Sequence, residues 1–106
     1  MQPIPLSTSL PSGRDVLVVE DEMRLRNMLS QALKEMGFNP VLAGSGEAAL
    51  RELSQKTFDI LMLDLNLPGI SGIELLERIR SEKNDVQVII LTGFGDLSSA
   101  KKAIHL

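Results

Sequence analysis

The chain is predicted to fold as an α/β domain with a doubly wound parallel sheet. Two observations carry that prediction. From Asp15 onward, short continuous apolar runs alternate four times with segments whose apolar residues recur at three and four, and the connections between them are short. The composition, 43% hydrophobic and 24% charged over 106 residues, is that of one globular domain.

The elements follow in order. Val16 to Val19 is continuous and rich in β-branched residues, the pattern of a strand buried on both faces. Leu25, Met28, Leu29, Ala32, Leu33 and Met36 make the stripe of an amphipathic helix, and Gly37 is its natural stop. The methionines at 23, 28, 36 and 62 are expected in or near the core. Pro40 to Ala43 is a short strand, after which Ser45 caps a helix with Ala49, Leu50 and Leu53 inward. Asp59 to Leu63 is the third strand. Ser71-Gly72-Ile73-Glu74 fits a capping box and starts a helix with Ile73, Leu76 and Ile79 inward. Val86 to Leu91 is the fourth strand, ending in Thr92-Gly93, and Asp96 caps a last helix with Ala100, Ala103 and Ile104 inward. Met1 to Gly13, uncharged and holding Pro3, Pro5 and Pro11, reads as a flexible leader without the basic start and unbroken apolar stretch of a secretory signal.

Several function classes are disfavoured. A net charge of -3, with no basic run longer than Lys101-Lys102, argues against direct contact with nucleic acid or an anionic membrane surface. Three phenylalanines are the only aromatics. Zero Cys excludes a disulfide framework and suits a cytoplasmic location. The apolar runs fall far short of the ~20 residues needed to span a bilayer.

In a doubly wound sheet, ligands bind beyond the carboxyl ends of the strands. Glu20, Asp21, Asp64 and Thr92 all fall at that edge. Asp64 closes the most apolar run of the chain, Ile60-Leu61-Met62-Leu63, where a carboxylate is costly unless paired, hydrogen-bonded or coordinated. Oxygen donors without His or Cys suit a hard cation such as Mg²⁺, which would hold the acids ionised and attract phosphoryl oxygens. Asp64, the single acid at its strand end, is the best nucleophile for an aspartyl phosphate, with Glu20 and Asp21 on the metal side and Thr92 offering a hydroxyl.

These residues resemble those of a response-regulator receiver domain of two-component signalling. The likeness rests on Val18-Val19-Glu20-Asp21-Glu22, Asp59 through Gly69, Gly72, and Leu91-Thr92-Gly93, in order and spacing across residues 14–106. It implies a flavodoxin-like fold with strand order 2-1-3-4, Asp64 as acceptor of a phosphoryl group from a histidine kinase or phosphotransfer protein, and Mg²⁺ held by Glu20, Asp21, Asp64 and the Asn66 backbone carbonyl. Thr92 would be the switch hydroxyl. The sequence departs from the family pattern at Glu20, where Asp is usual, and in having no counterpart of the fifth strand, with its Lys, or the fifth helix before Leu106. The expectation is therefore a C-terminally incomplete receiver whose open fourth-strand edge invites self-association.

Other readings stand beside this one. Without the Lys strand, the domain would be a receiver-like interaction module that does not switch. Gly44-Ser45-Gly46-Glu47-Ala48-Ala49, with Asp64 twenty residues after Gly44, outlines a dinucleotide fingerprint but leaves Glu20, Asp21 and Thr92 unexplained. An Asp-dependent phosphatase would normally carry an acid where Asn66 stands. Glu22 reads as a first-turn acid, and Arg24, Asn27 and Gln31 as a solvated face, a region that in the family often meets the kinase.

Overall fold

A computed structural model describes residues 14–91. They form β1 (Asp15–Val19), α1 (Met23–Glu35), β2 (Asn39–Ala43), α2 (Gly46–Gln55), β3 (Ile60–Asp64), α3 (Gly72–Ser81) and β4 (Gln87–Leu91). The strands make one sheet, parallel as the alternation of elements predicts, in the order β2-β1-β3-β4 that the family resemblance implies. The expected leader, Thr92 and the last helix lie outside the described residues.

The alternation along β1 divides the core in two. Val16 and Val18 face α1 and pack with Leu33, Leu29, Phe38, Ile60 and Met62. Leu17 and Val19 point to the other face, joining Ala49 of α2, Leu75, Leu76 and Ile79 of α3, and Leu61 and Leu63 of β3. Both sets on β1 are fully buried, which explains a continuous apolar run in place of alternation.

Helix ends follow local chemistry. Glu22 is more than a first-turn acid: it is the N-cap of α1, its carboxylate accepting from the amides of Arg24 and Leu25. At the other end Gly37, with φ 92°, donates to Lys34 O while Phe38 donates to Leu33 O. That paired pattern requires a left-handed residue, and Phe38 then packs near Leu33. Ser71 Oγ accepts from the Glu74 amide, but the Glu74 carboxylate turns to Arg78 at 3.1 Å, so only half of the expected capping box is made.

The outcome differs from expectation on α1. Leu33 is buried and Leu29 half-buried, but Leu25 is exposed, as is Ala32, and Met23, Met28 and Met36 are all more than 60% exposed. A helix on a sheet buries the line of residues directly against the strands. Here Ser30 joins Leu33 on that line. The outer part of the stripe faces the flank of α1, which no described helix covers. Leu75, which the three-and-four reading left out, is fully buried in α3, while Ile73 is half-buried.

Candidate functional site

Register brings the acids together. Val19 pairs with Ala43 on one side and Leu63 on the other, so Glu20 leaves β1 level with the strand end that carries Asp64. The Glu20 amide extends the ladder by donating to Ala43 O at 3.1 Å, which fixes the first peptide of the loop. The next residues turn away toward α1, leaving Asp21 exposed.

Glu20, Asp21 and Asp64 each offer a carboxylate oxygen within 4.8 Å of the others. Three anions at that separation repel unless a cation or proton intervenes. Glu20 bears most of the cost, being only 3% exposed. Its carboxyl is raised above the ordinary glutamate value, first by burial and then by the charge of Asp64; the Glu22 amide, donating to Glu20 Oε2 at 3.0 Å, works the other way. A buried acid of this kind, aimed at two others with all-oxygen donors, fits a hard divalent cation.

Asp64 is the last residue of β3, so its carboxylate is carried by the sheet itself. Its Oδ1 accepts the Asn66 amide at 2.9 Å. Leu65 and Leu67 are buried on either side of Asn66, which holds that exposed residue at the rim. The same loop is tied to α3 by the Gly72 amide, which donates to Leu65 O at 3.1 Å. A Cβ on Gly72 would lie 2.5 Å from Leu65 Cα and 2.6 Å from Asp64 O, so this approach requires glycine.

Two further residues support the rim and were not singled out from the sequence. Glu47 accepts the Ile70 amide and lies against Gly69, whose φ is +70°. Arg26 reaches back from α1, its Nη1 2.9 Å from Glu20 O and 3.3 Å from Asp21 O. Only its position, one helical turn past an acidic loop, could have hinted at this. The glycines of the dinucleotide-like segment meet protein: Gly44 lies under Arg26, and Gly46 against Ile70. Thr92 lies outside the described residues, directly after the strand whose Leu91 pairs with Asp64.

Comparison with known proteins agrees with this fold. Residues 16–106 match the family model of the response regulator receiver domain. An NtrX-like response regulator of Rickettsia conorii is 39% identical over 97 residues, covering 90% of this chain and 20% of that protein. The chain thus spans about one fifth of the length of the curated relatives it matches. Among solved structures, the response regulator TrrA of Thermotoga maritima, in complex with Mg²⁺-BeF, superposes with a TM-score of 0.79 at 35% identity, covering 86% of this chain and 79% of that one. A receiver protein of Pseudomonas putida gives a TM-score of 0.83 at 28% identity, with 88% and 78% covered.

Proposed function

Because this chain belongs to the response-regulator receiver family, a family of signalling domains, we propose that it is phosphorylated on Asp64 by a histidine kinase or phosphotransfer protein. The observation that carries this reading is the meeting of Glu20, Asp21 and Asp64 at the carboxyl edge of the sheet, with Asp64 on the strand itself. In the transfer, an Asp64 carboxylate oxygen attacks the phosphorus of a phosphohistidine. The new P–O bond forms as the P–N bond breaks, and the imidazole leaves.

Glu20, Asp21, Asp64 and the Asn66 backbone carbonyl would hold Mg²⁺. When bound, the ion supplies positive charge to the transferred phosphoryl oxygens. The chain's own part is positional. The Asn66 amide orients Asp64 through Oδ1, and the Glu22 amide orients Glu20 through Oε2. Glu20 is one methylene longer than the usual Asp, and its buried carboxylate still meets those of Asp21 and Asp64. Thr92 is assigned the switch hydroxyl on its sequence position alone. Slow hydrolysis of the aspartyl phosphate completes the cycle, and a cytoplasmic location belongs to the same reading. No helix among the described residues is long and apolar enough to cross a membrane.

The test is labelling by acetyl phosphate with Mg²⁺, comparing wild type with Asp64→Asn. Labelling of wild type alone is expected, and equal labelling of both would sink the assignment. Phosphorylation without any change in conformation or partner affinity would favour the interaction module that does not switch.

A further inference from the structure

We infer that Arg26 is the positioning residue of the acidic loop, setting the site's affinity for a divalent cation; this rests on the receiver-site reading above. Three chain segments meet at its guanidinium. It originates in α1, its Nη1 donates to the carbonyls of both Glu20 and Asp21, and it lies over Gly44 at the end of β2. A Cβ at Gly44 would lie 3.0 Å from Nη1 and 3.6 Å from Cζ, so glycine there leaves the space that the guanidinium occupies.

The contact fixes peptides, not carboxylates. The two carbonyls that Arg26 holds belong to the two residues whose side chains complete the acidic group with Asp64. Glu20 has its amide bound to Ala43 O and its carbonyl to Arg26, so both sides of the residue are fixed. Asp21 is exposed and lies beyond the end of β1, and Arg26 binds its carbonyl at the turn into α1. Without that bond the Asp21 peptide would turn more freely, and its carboxylate would spend less time facing Glu20 and Asp64.

Charge and position predict opposite outcomes. Removing a positive charge beside a cation site, taken alone, strengthens cation binding. Losing a group that orients the ligands weakens it, typically by about tenfold or more. The sign of the change therefore separates the two.

Mg²⁺ titrated calorimetrically into the full chain provides the readout, with amide NMR shifts of Glu20 to Glu22 followed in parallel. Arg26→Met is expected to weaken Mg²⁺ binding about tenfold and to move those amide signals before any metal is added. Arg26→Lys, which keeps the charge and a donor on a shorter stem, is expected to lie between Met and wild type. Gly44→Ala retains Arg26 but crowds it, and is expected to weaken binding in the same direction. Arg26→Met binding Mg²⁺ as tightly as wild type, or more tightly, overturns the inference. If that variant does not fold, Arg26→Gln, which also removes the guanidinium, takes its place, and unchanged or tighter Mg²⁺ binding there overturns the inference equally. Failure of wild type to bind Mg²⁺ instead removes the underlying site reading, which separates the two failures.

Discussion

Glu20 shows what the site costs in the absence of a cation. Its carboxyl is raised above the ordinary glutamate value by burial and by Asp64, so the folded chain holds this proton more tightly than the unfolded chain. Below the ordinary value both states are protonated and the contribution to stability is fully present. As pH rises through the raised value, the folded chain must ionise a buried acid, and that contribution is lost. Glu20→Gln keeps an acceptor for the Glu22 amide but removes the charge. It is expected to stabilise the metal-free protein at neutral pH by about 1 kcal/mol and to weaken Mg²⁺ binding. Thermal unfolding of both forms in chelator, from about pH 4 to pH 8, checks this through a gap that widens with pH. The three acids were legible in the sequence because each stands at or just past the end of an apolar strand. Arg26 and Glu47 were not, because each acts on backbone groups of a segment distant in the sequence or around a turn, and no spacing rule specifies such a contact.

Helix and strand ends carry the next level of control. Ser71 caps α3 through the Glu74 amide, and Ser71→Ala is expected to cost about 1 kcal/mol by urea unfolding. Gly72, one residue on, is the more demanding position. Gly72→Ala drives a methyl group into the backbone of Asp64 and Leu65, and a loss of about 3 kcal/mol or more is expected, together with displaced Asp64 and Asn66 amide signals. A loss no larger than that of Ser71→Ala would show that the loop simply moves aside. The sequence announced both positions, Ser71 by its capping spacing and Gly72 within the family motif. It could not announce that the Glu74 carboxylate pairs with Arg78, since that choice between two nearby partners depends on side-chain packing.

At the scale of the whole molecule, the sheet is covered unevenly among the described residues. The α2–α3 face holds a closed core, whereas beside α1 an apolar cavity of about 260 Å³ is lined by Leu29, Ala32, Met36, Met62 and Ile89, among others. Met28, Met36 and Ile89 are respectively 67%, 65% and 48% exposed. Apolar surface of this kind favours association, and β4 pairs only with β3 among the described residues. The 106-residue chain is therefore expected to self-associate with rising concentration in sedimentation runs. Replacing Met28 and Met36 by Glu should weaken association through the α1 flank, and Ile89→Lys association through β4. A wild-type chain that stays monomeric at high concentration would contradict this expectation.

The order of elements, the parallel sheet and the three acids at its carboxyl edge were determined by the sequence alone, because strand and helix periodicities are local and crossover handedness leaves few topologies. Which part of the α1 stripe is covered was decided only in three dimensions. Periodicity marks an apolar face; burial depends on whether another element reaches it, which among the described residues holds for Leu33 but not for Met28 or Met36. The same holds for the grip of Arg26 on the acidic loop, where side chain and carbonyl meet only after β1, β2 and α1 have packed.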